Sequence, residues 1–294
     1  MYTATLIANP ADANLTEEIA RRTAGLLGSD SIIWLAERIA CDIELAGLPE
    51  TTEPLWADLQ KQRIDFVVQP SKGRAKRLLL ADMDSTMIQQ ECIDELAAVA
   101  GVGERVAGIT ARAMNGELDF EAALRERVGL LAGLDEAVIQ QVLDTRITLM
   151  PGGPALVATM KANGAYAALV SGGFTDFTGP IAERLGFHEN RANTLLRSGG
   201  KLTGEPATPI LGRDAKVQAL KEISARLGLS LDQTMAVGDG ANDLGMLTVA
   251  GSGVALHAKP VVAAECDVRL NFADLTGLLY VQGYSAADFV DPEG

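Results

Sequence analysis

The sequence predicts an α/β protein: a parallel-sheet domain with a helical insertion just after its first strand, preceded by a small ferredoxin-like α+β layer. Three observations carry this. Residues 1–70 alternate β-like and helix-like segments in the order βαββαβ. From Lys76 onward short apolar runs recur with helices between them, the pattern of buried parallel strands. After the first of these runs, residues 88–150 hold long helical stretches and no convincing strand.

In order, TATLIA (3–8) reads as a strand and LTEEIARRTAGLL (15–27) as an amphipathic helix opened by Asn14. SIIWLA (31–36) and CDIELAG (41–47) form a strand pair, residues 52–62 a second helix with Leu55 and Leu59 on one face, and DFVVQ (65–69) a closing strand. Pro70-Ser71-Lys72-Gly73 marks a boundary, dividing the chain into domains 1–70 and 71–294. RLLLA (77–81) is the first buried strand, and the insertion follows it. Strand-like runs resume at AYAALV (165–170), TMAVG (234–238), GVAL (253–256) and DVRLN (267–271). The acidic tail after Ala287 reads as disordered.

Composition narrows the function classes. A formal charge of −14 repels a polyphosphate backbone, so nucleic acid is not an expected partner. The one basic cluster, Lys72, Arg74, Lys76 and Arg77, reads as a solvated linker. No run of 18 apolar residues is present and no membrane span is expected; the start shows no secretory pattern. Cys41, Cys92 and Cys266 are widely spaced and suit a reducing compartment, so a cytoplasmic location is expected. His188 and His257 stand apart without companion ligands and are not expected to be catalytic.

The sharpest chemical signal is Asp82-Met83-Asp84-Ser85-Thr86, directly after a buried strand. Side chains at i and i+2 of an extended segment point the same way, so both carboxylates face one spot at the sheet edge where α/β folds bind ligands. Such a pair suits phosphate hydrolysis through an aspartyl-phosphate, one acid as nucleophile and one moving a proton. Calcium-loop spacing is not met. A second signal, Gly238-Asp239-Gly240-Ala241-Asn242-Asp243, again follows an apolar run. Asp239 and Asp243 add carboxylate beside Asp82, and such an oxygen-rich site favours Mg²⁺ over zinc. Between the two, Ser171-Gly172-Gly173 offers a hydroxyl and backbone N–H groups for phosphate oxygens at a strand-to-helix turn. Lys216, two residues past a candidate N-cap at Asp214, sits at a helix amino end, where an anion is welcome. Its helix carries Val217, Leu220, Ile223 and Leu227 as an apolar stripe. No nucleotide-binding glycine motif is present.

In order and kind, DMDST, SGG, Lys216 and GDGAND resemble the four motifs of the haloacid dehalogenase superfamily, over about residues 77–280. More narrowly, the chain is similar to the bacterial phosphoserine phosphatase family, and its N-terminal part resembles the ACT-like domain that many members carry. The resemblance implies a Rossmann-like core with a helical cap, and Mg²⁺-dependent hydrolysis of O-phosphoserine, the last step of serine biosynthesis. It implies Asp82 as nucleophile and Asp84 as proton donor and later base. Mg²⁺ would be held by Asp82, the main-chain carbonyl of Asp84, and Asp239, with Asp243 in support. Ser171, Gly172 and Lys216 would bind phosphoryl oxygens, Glu91 the substrate ammonium, Arg127 its carboxylate, and Asn242 a phosphate or substrate oxygen. Met114, Phe120 and Val128 sit in contexts similar to the family's recognition segments.

Two other readings stand beside this one. A phosphatase or phosphotransferase for another small phosphomonoester would keep the same motifs. A phospho-acceptor receiver domain would also use acids, Mg²⁺, a hydroxyl and a lysine. There, however, the phosphorylated Asp follows a middle strand, whereas Asp82 follows the domain's first strand and Asp84 supplies a base to clear an acyl-phosphate. A homodimer through the open edge or face of the N-terminal sheet is a further expectation.

Overall fold

The computed structural model describes residues 1–115 and 117–291. The N-terminal layer runs β1 (Tyr2–Ala8), α1 (Glu17–Leu26), β2 (Ile32–Ala36), β3 (Ala40–Leu45), α2 (Glu53–Lys61), β4 (Ile64–Pro70). Its antiparallel sheet has the order β2-β3-β1-β4. The predicted βαββαβ succession is therefore present, with element ends shifted by one or two residues. The first helix is opened by Thr16, whose hydroxyl accepts from the Ile19 N–H, rather than by Asn14. Asn14 instead donates to the carbonyl of Gln62, the residue that ends α2.

β5 (Leu78–Ala81) opens the second sheet, and all four of its residues are buried. The insertion follows as α3 (Cys92–Val99), α4 (Gly103–Met114), α5 (Phe120–Gly129) and α6 (Ala137–Thr145). A bridge between Ile88 and Leu149 and the Gln89 N–H to Thr148 carbonyl bond close its neck. The chain continues as α7 (Gly153–Ala162), β6 (Tyr166–Phe174), α8 (Thr175–Leu185), β7 (Glu189–Asn193), β8 (Leu195–Ser198), β9 (Lys201–Pro206) and α9 (Arg213–Arg226). It ends with β10 (Thr234–Gly238), α10 (Leu244–Val249), β11 (Ser252–Leu256), α11 (Pro260–Ala263), β12 (Val268–Leu270) and α12 (Gly277–Val281). The large sheet is parallel throughout, in the order β12-β11-β10-β5-β6-β7. The chain leaves β5 toward β7, then returns to β10 on its other side. Strand order thus reverses at the β5/β10 junction, which opens a crevice at their carboxyl ends.

Several expectations need correction. Three strands between 189 and 206 were not foreseen. β7 reads Glu-Asn-Arg-Ala-Asn, too polar to show strand patterning. The β8–β9 hairpin turns at Gly199 and Gly200, both at positive φ, and docks on the insertion through the Gly133 N–H to Leu202 carbonyl and Leu202 N–H to Leu134 carbonyl bonds. Ser171-Gly172-Gly173 is the end of β6 rather than a turn after it. Arg74 is no solvated linker residue. Its side chain, 10% exposed, pairs with Asp42 at 2.6 Å and donates to the Tyr280 and Val281 carbonyls. The tail is held as far as Val290, whose N–H donates to the Thr159 hydroxyl, while residues 292–294 lie outside the described residues.

The two sheets share a hydrophobic core. Ile7, Leu35, Ala40 and Val67 of the N-terminal layer pack in one cluster with Leu270, Leu278 and Tyr280. Across that contact the Asp65 carboxylate, fully buried, accepts the backbone N–H groups of Asn271, Phe272 and Ala273 at 2.8–3.1 Å. Among the described residues no helix is long and apolar enough to cross a membrane.

Candidate active site

The crevice at the ends of β5 and β10 collects the motif residues. Asp82 continues the ladder, its N–H on the Val237 carbonyl at 3.0 Å. Asp84 then turns its carboxylate to the insertion, where Oδ1 accepts the Cys92 N–H at 2.9 Å. Cys92 begins α3, so a helix amino end faces this acid. Ser85 takes a left-handed φ of 55°, an unfavourable conformation for a residue with a Cβ. Its hydroxyl donates to Glu91 Oε1 at 2.6 Å.

From β10, Asp243 folds back under the strand end. Its Oδ2 accepts the N–H groups of Asp239 and Gly240, both at 3.1 Å. A Cβ on Gly238 would come within 2.4 Å of the Asp243 carboxyl carbon, so only glycine lets that carboxylate in. Lys216 reaches the same spot from α9. That helix starts after Gly212, not at Asp214, which puts Lys216 a full turn inside with its side chain 2% exposed. Its Nζ lies 2.6 Å from Asp82 Oδ1 and 2.6 Å from Asp243 Oδ1. The second contact is a hydrogen bond; the first is an ion contact to an Asp82 oxygen that has no other hydrogen-bond partner among the described residues. The predicted apolar stripe is shifted accordingly: Lys216, Ala219, Leu220 and Ile223 are buried and Leu227 is exposed.

Ser171 lies across from Asp84, its hydroxyl donating to Oδ2 at 3.4 Å and accepting the Gly173 N–H at 2.8 Å. The Gly172 carbonyl is held by the Asn193 side-chain amide at 2.8 Å, and the same amide donates to the Leu211 carbonyl at 3.1 Å. Asn193 therefore ties the end of β6 to the segment that launches α9. The motif reading missed it, and a lone Asn in a polar strand gives no signal of such a role.

The insertion supplies the roof. One cavity is lined by Asp82, Asp84, Ser171, Gly172 and Asn242 from the core, and by Glu91, Phe120 and Arg127 from the insertion. The Phe120 ring wedges between Gly172 and Gly212, where an added Cβ would approach it to 2.7 and 3.2 Å. Arg127 is 6% exposed, and its guanidinium donates to the Ala123 carbonyl and the Thr110 hydroxyl. Val128 is buried in the core of the insertion, away from the cavity lining. The Met114 side chain lies outside the described residues. His188 stacks on Tyr166 and His257 bonds to the Ala273 carbonyl, both structural roles.

The electrostatics follow from burial. Desolvation and the charge of Asp243 raise the Asp82 carboxyl to about 7 against the pull of Lys216. Desolvation also raises Asp84, opposed by the Cys92 N–H, and raises Glu91 and Asp239 well above their usual range with help from neighbouring acids. Burial would lower the Lys216 ammonium, but Asp243 and Asp82 outweigh it and the net shift is upward. Burial lowers Arg127. Four core acids around one lysine leave the spot short of positive charge.

Asp82, Asp239 and Asp243 bring carboxylate oxygens within 4.8 Å of one another. With an Asp82 oxygen whose polar contact is the Lys216 ammonium alone, this all-oxygen, anionic set fits a hard divalent cation. Asp84 is not of that trio, because its carboxylate is turned to Cys92 and Ser171.

The model for haloacid dehalogenase-like hydrolases matches residues 79–248. The phosphoserine phosphatase of Streptomyces coelicolor is 42% identical over 286 residues, 95% of this chain and 70% of that protein. A haloacid dehalogenase family hydrolase from Salmonella enterica superposes with a TM-score of 0.83 at 32% identity, covering 96% of this chain and 98% of that one. A substrate-bound phosphoserine phosphatase structure gives 0.68 at 40% identity over 70% of this chain and 97% of its own. The chain belongs to the haloacid dehalogenase-like hydrolases and, among them, to the phosphoserine phosphatase family.

Proposed function

We propose that this protein is a Mg²⁺-dependent phosphatase that hydrolyses O-phosphoserine to serine and phosphate. The observation that carries the reading is the charge pattern of one cavity, with nucleophile-type acids on the core side and a carboxylate and a guanidinium, Glu91 and Arg127, on the insertion side. Phosphoserine has the complementary groups: a phosphoryl group for the core, an ammonium for Glu91 and a carboxylate for Arg127.

Asp82 attacks phosphorus; the bond from phosphorus to the serine oxygen breaks as the Asp82 acyl-phosphate, a mixed anhydride, forms. The Asp84 carboxyl gives its proton to the departing serine oxygen. As carboxylate it then takes a proton from the water that attacks the aspartyl-phosphate, and phosphate leaves. Lys216, Ser171 and the Gly172 N–H hold phosphoryl oxygens, with Asn242 at a phosphate or substrate oxygen. Mg²⁺ would be held by Asp82, the Asp84 carbonyl and Asp239, with Asp243 beside them; when bound, it neutralises charge between nucleophile and phosphate.

The test is phosphate release from phosphoserine, phosphoethanolamine, phosphoglycolate and 3-phosphoglycerate, with and without Mg²⁺. Phosphoserine should be preferred by about tenfold to a hundredfold over analogues lacking one charged handle. EDTA should stop turnover, Mg²⁺ restore it and Ca²⁺ inhibit. Equal rates on all four esters, or full activity in calcium, would sink the reading. The same proposal assigns the protein to serine biosynthesis in the cytoplasm. It also includes a homodimer through the edge strand β2, where Ile33 and Trp34 are 47% and 37% exposed. Sedimentation of the wild type and of Ile33→Glu tests that contact.

A further inference from the structure

Behind the cavity, three helices of the insertion meet through one hydroxyl. Thr110 on α4 is 3% exposed, donates to Asp94 Oδ1 of α3 at 2.7 Å, and accepts from Arg127 Nη1 of α5 at 3.1 Å. Arg127 Nε donates to the Ala123 carbonyl at 3.2 Å. These two bonds use two of the five guanidinium N–H donors. The others include at least one on each terminal nitrogen, enough for an end-on fork. A hydroxyl can serve here because it donates and accepts at once. Its proton goes to Asp94, which directs a lone pair at the guanidinium.

We propose that Thr110, anchored by Asp94, is a positioning residue that sets the orientation of Arg127 and so the selectivity for substrates bearing a carboxylate. The inference rests on the proposed role of Arg127 toward the phosphoserine carboxylate. Arginine has long, rotamer-rich side-chain freedom, and a carboxylate needs its planar fork held within about 10–20°. The Ala123 carbonyl fixes one nitrogen only, and Thr110 supplies the second point that stops the plane from rotating. Thr110 has no place in the cavity lining, so its effect reaches substrate only through Arg127.

The experiment compares kcat and KM for phosphoserine and phosphoethanolamine in the full chain with Mg²⁺, for wild type, Thr110→Val, Thr110→Ala and Thr110→Ser. Valine keeps the shape and removes the hydroxyl. Alanine removes the hydroxyl without demanding space, and serine keeps it. Val and Ala variants should raise the phosphoserine KM by about three- to tenfold with kcat nearly unchanged, the mark of lost uniform binding. Phosphoethanolamine, which has no carboxylate, should change less than about twofold, and serine should restore wild-type selectivity. Equal losses on both substrates would mean a packing role and overturn the proposal, as would no change on either. A wild type that fails to prefer phosphoserine over phosphoethanolamine would remove the substrate assignment first, and this proposal with it.

Discussion

Lys216→Met removes the cation shared by Asp82 and Asp243 and keeps a side chain of similar reach. The lost contacts are two at 2.6 Å, with the lysine and both carboxylates buried. Truncating one member of a buried ion pair costs about 3–5 kcal/mol, because the partner charge is left uncompensated. The protein limits that cost by binding a proton. Burial and Asp243 already raise Asp82 to about 7, and Lys216 opposes that shift. An acid raised in the folded state is in its most favourable condition at low pH, and stability is lost as pH climbs from the ordinary carboxylate range through the raised value. Wild type itself loses stability up to about pH 7, while the variant, with Asp82 raised further, goes on losing about 1.4 kcal/mol per pH unit above it, so the penalty should be larger by about 1.4 kcal/mol at roughly pH 8 than at pH 5.5. Urea unfolding of metal-free wild type and variant at those two pH values measures it. Added Mg²⁺ should narrow the gap at the higher pH, and phosphate release should fall by at least about a hundredfold, as for loss of a charge-stabilising donor. An equal penalty at both pH values, or none, would refute the argument that Lys216 compensates buried carboxylate charge.

Asp82→Asn should cut turnover by at least about a thousandfold while the protein stays folded, since an amide cannot form the acyl-phosphate; circular dichroism and phosphate release check both halves. Gly172→Ala would drive a methyl to 2.7 Å from the Phe120 ring. Ordinary carbon contacts need about 3.5–4.0 Å, so the insertion must shift by roughly an ångström and kcat/KM should fall by about tenfold or more. Combining it with Phe120→Leu, which shortens the wedge, should recover part of the loss, and strict additivity in kcat/KM would argue against the collision.

The alternation of short apolar runs with helices was enough to read the parallel sheet, because LLLA (78–81) and TMAVG are buried throughout, on both faces of the sheet. The N-terminal layer was legible for the opposite reason, its strands and helices being punctuated by turn residues. What escaped was held by side-chain bonds rather than by hydrophobic patterning. β7 is secured by Asn193 reaching the Gly172 carbonyl, and Arg74, one of four basic residues in a short connection, finds a buried acid far away in sequence. Lys216 was legible as a residue but not as a place, since an acid at Asp214 imitates a cap while the helix begins earlier at Gly212. Thr110 and Asp94 carry no motif, because their pairing with Arg127 exists only once three helices are packed.

The Asp65 clamp on residues 271–273 has an optical consequence. Both tryptophans of the chain, Trp34 and Trp56, belong to the N-terminal layer, and Trp56 lies under the guanidinium of Arg269 at 4.4 Å, across the same contact. Separating the layers would leave three N–H groups without their carboxylate and split the shared core, so the whole chain should melt in one step. Indole emission then reports on a cleft that contains no indole. A ligand at a hundredfold excess over its Kd adds about 2.7 kcal/mol to the folded state wherever it binds. Phosphate with Mg²⁺ should therefore raise the fluorescence melting midpoint of tryptophans that touch neither.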